Sequence, residues 1–231
     1  VIADDAGWID FGFHGSTEIA TPALDRLAAE GVVLEACYVT ASVCSPSRAG
    51  MLTGRYQQRF GHEYNLPGEA LRVEGGLPLT ERTIADRMRA AGYATGLIGK
   101  WHLGLAPAFH PTNRGFDEFH GFRAGSRSYF GNEKLTGGDR GYEHARGADR
   151  KSEVESEIAY LTDTIARDAV TFIRDHADRP SFLVVAFNAP HGPMHATEDD
   201  LASIDPAVAP NHRRIYAAMM QSLDRACGSI G

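Results

Sequence analysis

The chain has 231 residues, of which 43% are hydrophobic and 23% charged, enough to bury the core of one large domain or two small ones. Twenty-three Lys plus Arg against thirty Asp plus Glu leave a net charge of −7, which argues against a nonspecific nucleic-acid binder or a polybasic membrane-surface protein. No apolar run approaches the roughly 18 residues of a membrane span, and three cysteines (Cys37, Cys44, Cys227) are too few for a disulfide scaffold.

In chain order, Val1 to Ala3 reads as a strand, entered with no initiator Met and no leader, so the sequence is expected to be a fragment whose compartment it does not show. Thr21 caps a predicted helix with Pro22 in its first turn and Gly31 at its end. Val32 to Val39 is an apolar strand candidate, followed by Ala94 to Ile98 and Ser181 to Phe187. A second helix is predicted over Thr80 to Ala91, with Ile84, Met88 and Ala91 inward and Gly92 as terminator. Arg123 to Ser152 is polar and Gly-rich, and is expected to be a long surface excursion near the ligand. Glu155 to Asp178 is the longest helical pattern, with Ile158, Leu161, Ile165, Phe172 and Ile173 as its stripe. Asn211 to Gly231 closes the chain as an amphipathic helix whose Ile215, Met219, Leu223, Cys227 and Ile230 face is expected to lack a partner. Strands alternating with helices imply an α/β fold with a largely parallel sheet covered on both faces.

Two stretches carry candidate chemistry. Asp4-Asp5 follows the opening strand, where open α/β sheets bind ligands; adjacent carboxylates there suit a hard cation, or else form an acidic turn with Gly7. Cys44-Ser-Pro-Ser-Arg48 places Ser45 as a cap and Pro46 in a first turn, so that Cys44 sits just before a helix N-terminus that favours anions. Arg48, planar and always charged, can reach the same point and hold a tetrahedral oxyanion. Lys100 and His102 follow the Ala94 to Ile98 strand and, two apart in extended chain, would share a face; His191 follows the Ser181 to Phe187 strand. Cys37 and Cys227 are expected to be ordinary buried thiols, and the histidines other than His102 and His191 to be structural, with His195 at the rim.

The string Cys44-Ser45-Pro46-Ser47-Arg48-Ala49-Gly50-Met51-Leu52-Thr53-Gly54-Arg55 resembles the signature of formylglycine-dependent (type I) sulfatases of the alkaline phosphatase superfamily, Cys-x-Pro-x-Arg followed by Leu-Thr-Gly-Arg. Similar matches run in family order through Ala3-Asp4-Asp5, Thr21 to Leu27, Gly99 to Gly104, Asn113 to Phe119 and Asn188-Ala189-Pro190-His191. The resemblance implies an alkaline-phosphatase-like fold, with residues 1–231 as the N-terminal portion of the catalytic domain and its C-terminal side missing. It implies that Cys44 is converted to formylglycine by a formylglycine-generating enzyme that reads Pro46 and Arg48. The aldehyde hydrate would attack sulfur with one hydroxyl and release sulfate through the other. Asp4, Asp5 and the modified Cys44 are implied ligands of calcium, or alternatively magnesium. Arg48 is implied to hold the hydrate, and Lys100, His102 and His191 to contact sulfate, aldehyde and leaving oxygen. Either His102 or His191 is left as the proton donor.

The expected activity is hydrolysis of sulfate monoesters, with a sulfated carbohydrate favoured, in a periplasmic or secreted protein. The rivals are a phosphonate monoester or phosphodiester hydrolase with the same machinery, and an inactive or truncated chain. Three residues fall short of the about 6–8 oxygens that calcium takes, so this stretch alone is expected to bind calcium weakly and turn over slowly or not at all.

Overall fold

The computed structural model describes residues 1–65, 75–131, 141–146, 152–155, 157–208 and 210–231. Six strands, β1 (Ile2–Asp4), β2 (Ala94–Lys100), β3 (Glu118–Phe122), β4 (Tyr142–Arg146), β5 (Ser152–Glu155) and β6 (Ser181–Pro190), form one sheet in the order β1-β6-β2-β3-β4-β5. β1, β6, β2 and β3 run parallel, and β4 and β5 add an antiparallel extension. The expected mostly parallel α/β sheet is therefore present.

Helices α1 (Pro22–Glu30), α2 (Cys44–Thr53), α3 (Ile84–Ala90), α4 (Leu161–Asp175), α5 (Glu198–Ala202) and α6 (Asn211–Ile230) cover it. β2 is buried along its whole length, which is why its sequence is continuously apolar or small. Its Ile98 joins Ile165 and Phe172 of α4 and Met219 of α6 in one core. Its Leu97 faces the other way, with Ala49 and Leu52 of α2 and Ala85 of α3. Alternation along one strand thus feeds two layers.

Several expectations give way. Residues 32–39 form no strand: Val32, Leu34, Tyr38 and Val39 are exposed on irregular chain. Apolar composition without a pairing partner does not make a strand. The second helix starts at Ile84, because Thr83 and Asp86 close a reciprocal capping box, and Ala85 rather than Ile84 is buried. Glu155 ends β5 rather than opening a helix, and Ile173 is exposed. The α6 face is not left bare: it packs against α1, α4, α5 and β6, burying Met219, Met220, Leu223 and Ala226. The excursion from 123 to 152 includes buried Arg123, Arg127, Tyr129 and Tyr142, so its described parts belong to the sheet and its packing. Its residues 132–140 and 147–151 lie outside the described residues. Cys37 is exposed rather than buried. Among the described residues, no helix is long and apolar enough to cross a membrane.

Candidate active site

Because β1, β6 and β2 are parallel neighbours, their carboxyl ends open on one edge of the sheet. Asp4 ends β1, Lys100 ends β2, and His191 directly follows β6. Gly99 makes this convergence sterically feasible. Its φ of +106° is left-handed, and a Cβ there would stand 2.0 Å from the Ala186 carbonyl oxygen of β6. His102 is itself left-handed, at φ +59°, rather than in the extended chain expected, yet it still arrives beside the Lys100 end of the strand. Cys44 comes from the opposite layer as the first residue of α2.

Ser45 does not cap α2. Its hydroxyl donates to the His102 carbonyl at 2.7 Å and bonds the His62 ring at 2.7 Å, tying the start of α2 to the loop after β2. Asn65 takes up the exposed helix end, accepting from the Ser45 N–H at 2.9 Å and donating to Cys44 Sγ at 3.6 Å. His62 and Asn65 carry no motif, and neither stands out in the sequence. The chain's return to α2 is what places them.

The charges interlock. Lys100, with no exposed side-chain surface, donates from Nζ to Asp4 Oδ2, and Arg48 Nη2 lies 3.6 Å from Asp4 Oδ1. Arg48 Nη1 donates to the Lys100 carbonyl at 2.8 Å, while Nη2 is buried without a hydrogen-bond partner. Burial pulls both cations below their ordinary pKa, and for Lys100 the Arg48 charge adds to it. Asp5 projects differently: at φ +66° it is largely exposed, 3.6 Å from His191 Nε2. His191 Nδ1 bonds the Gly192 carbonyl at 2.6 Å, which fixes that nitrogen as the N–H and turns Nε2 toward Asp5.

Burial would raise the Cys44 thiol. Hydrogen bonds with His102 and His191, together with the Lys100 charge, override it and bring the thiol down to about 5. The hydrogen bond to Cys44 raises His191, whereas burial lowers His102. Six of the residues picked from sequence, Asp4, Cys44, Arg48, Lys100, His102 and His191, thus interact in one group, and Asp5 joins it through His191. A cavity of about 720 Å³ opens onto Asp4, Asp5, Cys44 and Arg48 from the side of residues 37–43. Lys100, His102 and His191 stand outside its lining.

Asp4 and Asp5 offer hard oxygen donors of the kind a calcium or magnesium ion takes. Asp4 is already balanced by Lys100 and Arg48, so a divalent ion held by these carboxylates would supply positive charge beyond that balance. The buried, unpartnered Arg48 Nη2 and His102 Nδ1 are polar atoms suited to an oxygen-bearing group at position 44. The donor set fits these groups in kind.

A parallel sheet flanked on both faces, with carboxylates, an Arg-Lys pair and a helix-start cysteine at its carboxyl edge, defines an α/β protein of alkaline-phosphatase-like architecture. The Sulfatase family model matches residues 1–230, and the chain belongs to that family. Mouse arylsulfatase J is 37% identical over 233 residues, covering all of this chain and 38% of that protein. Human N-acetylgalactosamine-6-sulfatase is 33% identical over 246 residues, covering all of this chain and 45% of that one. The solved structure of Ps i-CgsB in complex with k-i-k-neocarrahexaose superposes with a TM-score of 0.90 at 34% identity, over 99% of this chain and 52% of that one. The chain therefore spans about half or less of these relatives.

Proposed function

We propose that the protein containing this chain hydrolyses sulfate monoesters of carbohydrates, and that residues 1–231 supply the N-terminal portion of its catalytic domain. The observation that carries this reading is the meeting of Asp4, Arg48, Cys44, Lys100, His102 and His191 at the carboxyl edge of one sheet. The carbohydrate assignment is supported by a relative named for N-acetylgalactosamine 6-sulfate chemistry and by a neighbour solved with a neocarrahexaose.

Converted by a formylglycine-generating enzyme, position 44 would supply a hydrated aldehyde oxygen as nucleophile, and a divalent cation at Asp4 and Asp5 would supply positive charge opposite the ester oxygens. The chain's own side chains do the rest. Lys100 and Arg48 are held rigidly and out of water, so their charge acts on an anionic ester without reorganisation. His191, half-buried and raised in pKa, is the group suited to deliver a proton from Nε2 to the departing alcohol oxygen. His102, kept neutral by burial, orients or accepts a proton at position 44. That division favours His191 over His102 as the proton donor.

The test is intact-mass analysis of the peptide carrying residue 44, joined to rates on an aryl sulfate and an aryl phosphonate. Formylglycine is about 18 Da lighter than cysteine, and the sulfate is expected to react faster. An unconverted Cys44 from a host that has the converting enzyme, or a preference for the phosphonate, overturns the reading.

A further inference from the structure

A second cluster of metal-binding side chains lies on the antiparallel side of the sheet and shares no residue with the site above. His120 of β3 and His144 of β4 are directly opposed cross-strand partners. Asp168 reaches them from α4, and one ligand atom from each of the three lies within 4.8 Å of the others. We propose that His120, His144 and Asp168 form a binding site for a zinc-class divalent ion, which clamps β3, β4 and α4 together.

The positions of the ring hydrogens decide what lies between the two imidazoles. His120 Nε2 faces Glu118 Oε2 at 3.3 Å, and His144 Nε2 faces Glu155 Oε2 at 3.0 Å. Glu118 also takes His176 Nε2 at 2.9 Å and Arg146 Nε at 3.2 Å, and Glu155 takes the Arg167 guanidinium at 2.9 Å. Carboxylates so surrounded are ionised and have no proton to give, so each Nε2 carries its hydrogen. The two Nδ1 atoms, 2.6 Å apart, then turn lone pairs toward each other. Bare lone pairs at that distance repel, and a positive centre between them is required.

The surroundings select the kind of centre. Each histidine donates its outer N–H to a carboxylate, the arrangement that fixes the tautomer of a metal-ligating histidine and strengthens its inner nitrogen as a donor. The third ligand is oriented too: Asp168 Oδ2 accepts from Tyr142 at 2.8 Å, and Oδ1 from Arg167 Nε at 2.9 Å. Asp168 Oδ2 stands 4.0 Å from His144 Nδ1. Zinc binds imidazole nitrogen at about 2.0–2.1 Å in tetrahedral geometry, so nitrogens about 3.3 Å apart flank it. Small opposite pivots of the two rings and of Asp168 reach that arrangement. Two imidazoles with one carboxylate suit zinc-class ions and not calcium or magnesium, which take oxygen ligands. The His144 side chain is 28% exposed, which leaves an entry path and a fourth position for water.

The other candidate occupant is a single shared proton, and the test separates the two. Cobalt(II) is titrated into Cys37→Ala/Cys44→Ala protein held in excess calcium, which removes the exposed thiol and that of the first site and engages the first site's oxygen ligands. Zinc-dependent thermal shifts are recorded alongside. The expected result is one cobalt per chain with the intense visible absorption of a four-coordinate ion and no thiolate charge-transfer band. Zinc should displace it. His144→Ala and the shape-preserving Asp168→Asn should each weaken binding at least tenfold, Glu155→Gln should weaken it about 10–100-fold, and His212→Ala at the exposed start of α6 should leave it unchanged. Absence of four-coordinate cobalt and of any zinc-dependent shift overturns the proposal in favour of the proton. So does binding undiminished in Asp168→Asn.

Discussion

Asp4 and Lys100 meet across the carboxyl end of β6: their strands, β1 and β2, flank β6 without touching, and the Lys100 ammonium donates to Asp4 Oδ2. With Arg48 Nη2 at 3.6 Å, one buried carboxylate balances two buried cations. Asp4→Asn strips both of their partner and is expected to cost about 3–5 kcal/mol. Asp5, whose side chain is 65% exposed, has no such duty, and Asp5→Asn should stay within about 0.5 kcal/mol of the parent in the absence of divalent ions. Denaturant unfolding in chelator checks the pair, and equal losses contradict it. Added calcium should raise the melting temperature of the parent and of neither variant.

The Cys44 thiol, brought to about 5 against the pull of burial by His102, His191 and Lys100, should be thiolate across the neutral range in unconverted protein. Iodoacetamide labelling of Cys44, followed by peptide mass, is expected to reach half its maximal rate near pH 5. An unstructured cysteine peptide does so near about 8.5. His191→Ala removes one hydrogen bond and should move the Cys44 midpoint upward. A midpoint indifferent to that change would mean that His191 does not set it.

What was legible in the sequence follows from how local each cause is. β2 and β6 announced themselves because strands buried on both faces must be apolar throughout. Residues 32–39 share that composition but find no edge to pair with. Thr21 reads as the cap of α1, yet its hydroxyl accepts from the Gly12 N–H and donates to Asp25. The free N–H groups of Ala23 and Leu24 are taken instead by Asp224 of α6, about 200 residues away. No window around Thr21 contains that information. Cys44 and Arg48 were visible because α2 holds them on one helical turn. Asn65, His62 and the opposed pair His120–His144 depend on chain return and strand register, which single residue types do not encode.

Gly99 separates a conformational from a steric requirement. Gly15 is also left-handed, at φ +94°, but a Cβ there meets nothing within 4 Å. Gly15→Ala should therefore cost only backbone strain, about 1–3 kcal/mol. Gly99→Ala adds a collision with the Ala186 carbonyl of the adjacent strand, which neither backbone can yield without breaking the β2–β6 ladder. Its loss should exceed that of Gly15→Ala by at least about 2 kcal/mol. Parallel urea titrations decide this, and similar midpoints for the two variants would show that β6 moves aside.

Glu118 supplies the acid sensitivity. Burial raises its pKa, but hydrogen bonds from His120 and His176 and the Arg146 charge outweigh that and bring it to about 2. A carboxylate held below its ordinary value stabilises the folded state in its ionised form. That contribution is complete above the unfolded-chain value of about 4.3 and is lost as pH falls through 4 toward 2. The shift corresponds to about 2–3 kcal/mol. Glu118→Gln should therefore be less stable than the parent by that order at pH 7, and the gap should narrow steadily below pH 4.5 to about a quarter of its neutral size by pH 2.5. Unfolding midpoints in urea at half-unit pH steps measure the gap directly. A gap independent of pH would assign the loss to packing or to the histidines rather than to the Glu118 charge.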